Sequence, residues 1–239
     1  GKDIGPYFIK PIHRYLNYDA KLLHRARTKE VFEAPEKILL QRITGGSRPL
    51  KAAYDDKKYY NKESINNVIL SSDSNCRSKY ILSILNSKLL NWYYAKYFTN
   101  GSRLTVNLSK EYLSQLPTVV PPIDVQLNFE LVVDYLLFLK SYEIPINEYV
   151  ENSYLGQLFE EIIDGMVYEL YFPDDFSSKE IHFIRFISDY FNELLSPDAD
   201  QNAKTIEFTH QMLRDKNNPI KNNLKLMDLR LGDLIMPIK

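Results

Sequence analysis

The 239-residue chain carries a formal net charge of −1, with 44% hydrophobic and 26% charged residues, the composition of one large globular domain or two small ones rather than of a disordered chain. No apolar run approaches the roughly 18 residues of a membrane span, and the single cysteine, Cys76, excludes an internal disulfide framework and points to a reducing, cytoplasmic setting. The near-zero charge is a sum over unlike halves: residues 1–120 hold 20 Lys and Arg against 10 Asp and Glu, net +10, and residues 121–239 hold 10 against 21, net −11.

Residues 1–20 read as extended pieces broken by Pro6 and Pro11, and 21–32 as a short helix with Leu22, Leu23 and Val31 on its apolar side. After Pro35, the run Lys37-Ile38-Leu39-Leu40-Gln41-Arg42-Ile43 reads as a strand, Thr44-Gly45-Gly46-Ser47 as a turn, and Leu50 to Tyr54 as the returning strand. Asn66 to Ser71, with Val68, Ile69 and Leu70, reads as a further strand, so 35–72 is expected to be a small antiparallel sheet with polar loops. Helical spacing of Ile81, Ile84, Leu85, Leu89 and Trp92 predicts one helix from Ser78 through Tyr97, ended by Asn100-Gly101. Asn107 to Leu116 reads as a strand-to-helix passage opened by Ser109 as cap.

Pro117, Pro121 and Pro122 then mark the expected domain boundary, where the charge also changes sign. Beyond it the pattern predicts helices over Leu127–Tyr142, Glu151–Tyr171, Ser177–Leu195 and, more weakly, Ala203–Arg214, with an irregular tail from Pro219. The apolar and aromatic stripe over 155–171 reads as core or as a helix seam. The expected fold class is therefore mixed α+β: a small, mostly antiparallel sheet domain with packed helices over 1–122, then an all-helical region over 123–239.

Several catalytic chemistries lack their residues. Gly45-Gly46-Ser47-Arg48-Pro49-Leu50-Lys51 lacks the spacing of a phosphate-binding loop and the Ser or Thr that follows its Lys. His13, His24, His182, His210 and Cys76 form no metal-ligand spacing. Acidic pairs such as Glu160-Glu161 and Asp174-Asp175 fit solvated helix faces, and no serine sits in a Gly-x-Ser-x-Gly setting. A self-contained enzyme is not supported, and no cofactor or metal is expected within the chain. No signal peptide opens it, and a start at Gly1 fits a fragment of a longer polypeptide.

Cations gather in the strand–loop–strand region, with Arg42, Arg48, Lys51, Lys57 and Lys58 interleaved by Tyr54, Tyr59 and Tyr60, and Arg77, Lys79, Lys96 and Arg103 following. Lys and Arg neutralise phosphates and release counterions, Arg also grips guanine bidentately, and tyrosine hydroxyls bond phosphates. The opposite charges of the two halves also fit mutual attraction, and charge alone leaves both readings open.

Ordered phrases carry more than charge. Gly1-Lys2-Asp3-Ile4, Glu33-Ala34-Pro35-Glu36-Lys37-Ile38-Leu39-Leu40-Gln41-Arg42-Ile43, Lys51-Ala52-Ala53-Tyr54-Asp55-Asp56, Tyr80-Ile81-Leu82-Ser83-Ile84-Leu85-Asn86-Ser87-Lys88-Leu89-Leu90 and Leu113-Ser114-Gln115-Leu116-Pro117 follow one another over 1–122. Together they resemble the TaqI-like C-terminal specificity domain of type IIG restriction–modification enzymes and related adenine-specific DNA methyltransferases, and are similar to the target-recognition domains of type I specificity subunits. Ile162-Ile163-Asp164-Gly165-Met166-Val167-Tyr168-Glu169-Leu170-Tyr171 resembles the helix that follows this domain in the same enzymes.

The resemblance implies a recognition module for double-stranded DNA. An upstream methyltransferase domain of the same polypeptide would bind S-adenosylmethionine and methylate a flipped adenine. The base-accepting Pro-Pro-Tyr/Phe loop of that domain does not occur here: Val120 precedes Pro121-Pro122 and Ile123 follows. Arg42, Arg48 and Lys51 around the Gly45-Gly46 turn are the candidates for base-edge or phosphate contact; Lys57, Lys58 and Tyr60 for phosphate contact; Arg77, Lys79 and Arg103 are secondary. Asn86, Ser87 and Leu116-Pro117 are read as architectural, and Tyr80, Leu85, Leu89 and Trp92 as core rather than a stacking platform. Two further readings stand beside this one. The acidic helical region fits an interaction or spacer module, with self-association among its options, and the parent fits a phage-defence methyltransferase with no nuclease of its own.

Overall fold

The computed structural model describes residues 3–13, 15, 17–19, 21, 27–46, 48–99 and 106–238. The chain forms two compact units, one of residues 1–86 and 90–117 and one of 87–89 and 118–239.

In the first unit, β1 (Ile4–Gly5) and β2 (Phe8–Ile9) make a small antiparallel pair. A five-residue helix, α1 (Lys29–Glu33), leads into β3 (Lys37–Gln41), the central strand of a three-stranded antiparallel sheet. A short strand, β4 (Ile43–Thr44), follows, and then the sheet's flanking strands β5 (Ala52–Asp55) and β6 (Ile65–Val68). Because β3 has neighbours on both sides and is covered on both faces, it reads as an unbroken apolar run instead of an alternating one. Ile38 and Leu40 are fully buried, and Leu39 packs with Ile4, Ala53 and Ile65 in one core cluster. Leu39 stands opposite Ala53 on β5 and Asn67 on β6, which fixes the register.

The expected strand over 37–43 is interrupted at Arg42. Its N–H donates to Ser64 O (2.9 Å) and its carbonyl accepts from Leu108 N (2.8 Å), so the chain changes partners there. The expected continuous helix over 78–97 is likewise two helices, α2 (Ser78–Asn86) and α3 (Lys88–Phe98). Asn86 is 1% exposed because its side chain is committed to the edge of β5. β7 (Val106–Asn107) pairs with β4, and α4 (Lys110–Leu113) begins at Ser109, whose hydroxyl accepts from Tyr112 N as the cap pattern predicts.

The second unit is helical. α5 (Ile123–Ser141) and α6 (Asn152–Tyr171) pack together, with Tyr135, Phe159 and Phe191 in mutual edge or tilted contact at 5.1–5.6 Å. Within α6 Gly165 is a packing requirement, since a Cβ there would lie 2.8 Å from the Phe183 ring. The stripe over 155–171 is core, as Leu155, Phe159, Ile162, Met166, Val167 and Tyr168 are all buried.

The helix expected over 177–195 does not form. α7 (Pro173–Ser178) ends where Glu180 takes a left-handed φ of 56° and Ile181 N bonds Phe176 O. The Glu169 carboxylate then accepts from Phe183 N (2.7 Å) and Ile184 N (2.9 Å), doing for these N–H groups what a helix would have done. Only a 3₁₀ turn at 184–186 and α8 (Ile187–Tyr190) follow before α9 (Ala199–Arg214). The tail expected to be irregular is α10 (Pro219–Arg230) and α11 (Gly232–Ile235). Asn218 Oδ1 caps Lys221 N at 3.0 Å and Pro219 supplies a preset φ at the first helical position. No described helix is long and apolar enough to cross a membrane.

Candidate nucleic-acid interface

The sheet divides the candidate cations between its two ends. β3 runs from Lys37 to Gln41, about 13 Å at an antiparallel rise. Asp55 lies opposite Lys37, and Ile65 lies opposite Gln41. Lys57 and Lys58 follow Asp55 at one end, whereas Arg42, Arg48 and Lys51 lie around the other.

A buried ion pair builds the first end. Lys37 Nζ and Asp55 Oδ2 meet at 2.6 Å with both side chains fully buried, and Lys37 Nζ also donates to Phe32 O at 2.6 Å. Asp55 in turn accepts from Lys57 N (2.9 Å) and Tyr59 N (3.0 Å). One carboxylate therefore shapes the loop that carries Lys57 and Lys58, both exposed, with Lys58 held at a left-handed φ of 58°. Such a backbone is uncommon for a lysine and persists here because Asp55 fixes the residues on either side.

Tyr60 is built in. Its ring stacks on Phe32 (4.6 Å) and meets Tyr18 edge-on (5.3 Å), and its hydroxyl donates to Glu33 Oε1 at 2.7 Å. That hydrogen bond to a carboxylate holds the phenol above its usual range. Lys79 Nζ sits 5.5 Å from the Tyr54 ring centroid, while Tyr54 Oη and Ser78 Oγ both donate to Glu36. Arg77 is exposed just before α2, with its carbonyl taken by Ile81 N.

At the second end Arg48 donates to Asn86 O (2.9 Å) and Lys51 is half-buried, its carbonyl accepting from Gln41 N (3.1 Å). Arg42 is half-buried and its Nε donates to Asn107 Oδ1 at 3.3 Å. Arg103 lies outside the described residues.

Residues the sequence did not single out complete this end. Arg27 donates to Asn61 Oδ1 (2.7 Å) and Ile65 O (2.8 Å). Asn61 and Asn67 exchange amide hydrogen bonds, and Asn66 donates to Leu108 O. Burial, with Arg42 adding like-charge repulsion, holds Arg27 below the usual arginine range, and Glu63 opposes this. The partners of Arg27 and Arg42 lie 34 to 65 residues away along the chain, so no local pattern announces them. Tyr80, Leu85 and Leu89 are core as expected, with Trp92 half-buried and Lys96 over its ring at 4.6 Å. Among the described residues, no three His, Cys, Asp or Glu side chains are grouped to hold a metal ion.

Arranged this way, the unit offers two kinds of cation. Lys57 and Lys58 are exposed point charges on a shaped loop, suited to phosphates, whereas Arg42 is a planar fork held from a fixed backbone, suited to acceptor pairs.

Comparison with known proteins agrees with the ordered phrases. The chain is 28% identical over 190 residues to a Methanocaldococcus jannaschii protein named "Putative type II restriction enzyme and methyltransferase", the match covering 74% of this chain and 15% of that protein. No solved structure matches the chain. The family model of the TaqI-like C-terminal specificity domain matches residues 1–118. Residues 1–118 therefore belong to the TaqI-like C-terminal specificity domain family.

Proposed function

We propose that this chain is the DNA-recognition region of a type II restriction–modification enzyme or N6-adenine DNA methyltransferase, positioning duplex DNA for an upstream catalytic domain. The observation that carries this reading is the coincidence of the specificity-domain family over 1–118 with the basic half of the chain, net +10 over 1–120. Lys57, Lys58 and Arg77 hold the phosphates, and the guanidinium end of the sheet faces base edges.

The residues present do not fit a cofactor. No Gly-rich cradle or base-accepting Pro-Pro-Tyr/Phe loop occurs in the sequence, so S-adenosylmethionine is assigned to the upstream domain and no step is derived through it. What this chain contributes is placement: an adenine reaches a methyltransferase pocket only after leaving the stack, and the duplex must be held in register while it does so.

The experiment uses the polypeptide that includes the upstream region. Lys57→Ala with Lys58→Ala is expected to lower methylation at limiting DNA, through affinity, with the maximal rate at saturating DNA retained. Unchanged DNA affinity in that variant contradicts the assignment. The acidic helical unit, net −11 over 121–239, is read as a spacer or docking module that avoids the polyanion by like-charge repulsion.

A further inference from the structure

We propose that Arg42 is a specificity-determining residue that reads a guanine edge in the major groove, with Asn107 as its positioning residue. This rests on the DNA-recognition reading above and names the group that does the reading.

Four observations carry it. First, the Arg42 backbone is fixed on both sides, N–H to Ser64 O and carbonyl from Leu108 N, so the side chain leaves from a rigid point where β3 gives way to β4. Rigid mounting is what a base-reading group needs and a phosphate-neutralising one does not.

Second, the contact with Asn107 engages Nε alone. Among the described residues no other hydrogen bond is made by the Arg42 side chain, which leaves Nη1 and Nη2 as a fork. Two parallel donors of this kind match O6 and N7 of guanine, the bidentate pair that separates G·C from the other base pairs.

Third, Arg27 is anchored at the same end of the sheet, held by Asn61 Oδ1 and by Ile65 O, the neighbour of the Ser64 that accepts from Arg42 N, with Asn67 bracing Asn61. Both of these acceptors are neutral, and Arg42 adds like-charge repulsion at Arg27 while Glu63 opposes it. A second guanidinium held on neutral acceptors adds positive potential at this end of the sheet, which an acceptor-rich ligand relieves.

Fourth, the other end of the sheet provides the contrast. Lys57 and Lys58 lie on an exposed loop with no fork to present, so the two ends differ in the chemistry they offer.

The test selects duplexes from a pool with a randomised eight-base-pair core, using the 239-residue chain. Wild type is expected to enrich guanine at one or more positions. Arg42→Lys keeps the charge and loses the fork. It is expected to lose that enrichment, with roughly tenfold weaker binding to the selected duplex and under about threefold weaker binding to an unselected one. Replacing the preferred guanine by 7-deazaguanine, which lacks N7, weakens wild-type binding and leaves Arg42→Lys binding little altered. Asn107→Ala is expected to blur the preference without a change in melting temperature.

Binding without any base preference in wild type overturns the proposal and leaves the DNA-recognition reading standing. So does a preference that survives Arg42→Lys with an unchanged melt. No duplex binding by wild type overturns both.

Discussion

Asn86 pairs with Ala52 as a neighbouring strand would. Its Nδ2 donates to Ala52 O at 2.9 Å and its Oδ1 accepts from Ala52 N at 3.0 Å, and both residues are buried. β5 is an edge strand, and a buried edge with open N–H groups is costly. A side-chain amide is the one side-chain group that offers donor and acceptor at the spacing of a peptide. Asn91 repeats the device, accepting from Leu50 N (2.8 Å) and donating to Leu85 O (3.1 Å). The break between α2 and α3 is thus where two asparagines seal the sheet that carries the candidate interface.

Asn86→Ala is expected to destabilise the protein by about 1–3 kcal/mol, because Ala52 N loses its partner in a dry site. Ala52 O keeps a second donor, Tyr7 N at 2.8 Å, which limits the loss. Urea denaturation followed by circular dichroism reads the shift in midpoint.

Lys37→Met leaves the Asp55 carboxylate buried without its cation and is expected to cost about 3–5 kcal/mol. In Lys37→Met with Asp55→Asn the charge is gone from both sides, and the loss is expected to be smaller than for Lys37→Met alone. The same denaturation series measures this as a double-mutant cycle. A loss equal to the sum of the two single variants contradicts direct coupling of the pair.

Gly165→Ala places a methyl 2.8 Å from the Phe183 ring and is expected to destabilise by about 1–3 kcal/mol through overpacking. Phe183→Leu in the same background relieves the clash and recovers part of the loss. Melting temperatures of the wild type and these two variants decide it.

His210 is buried, and its pKa is lowered from the ordinary value of 6.5, first by burial and then by Arg214 and Lys221, with Glu207 opposing. The folded state therefore resists protonation more than the unfolded state does. Above pH 6.5 both states are neutral and this stability is fully present; as pH falls below 6.5 the unfolded chain takes the proton first and stability is lost down to the folded pKa. His210→Gln is expected to flatten this part of the pH–stability curve below pH 6.5. A wild-type curve already flat there contradicts the placement.

What could be read from the sequence follows the range over which each signal acts. The apolar run of β3, the Ser109 cap and the buried stripe on α6 are local patterns, and the structure holds each of them. The helix over 177–195 failed because a distant carboxylate, Glu169, satisfies the N–H groups of Phe183 and Ile184. α10 escaped because Asn222, Asn223 and the lysines dilute its apolar face, although Asn218-Pro219 was a readable start. At the interface the cations themselves were legible as composition. Their sorting into two ends depends on β5 and β6 flanking β3, and the Arg27–Asn61 and Arg42–Asn107 contacts exist only once that topology forms.

The most direct test of a DNA-recognition role is the salt dependence of duplex binding by the 239-residue chain, followed by fluorescence anisotropy between 50 and 200 mM salt (about the range over which phosphate contacts are resolved). With Lys57, Lys58 and Arg77 among the phosphate contacts, log K is expected to fall with log salt at a slope of about −3 or steeper, and Lys57→Ala with Lys58→Ala to reduce that slope by about 2. A flat salt dependence, or a slope that the double variant does not change, contradicts the account.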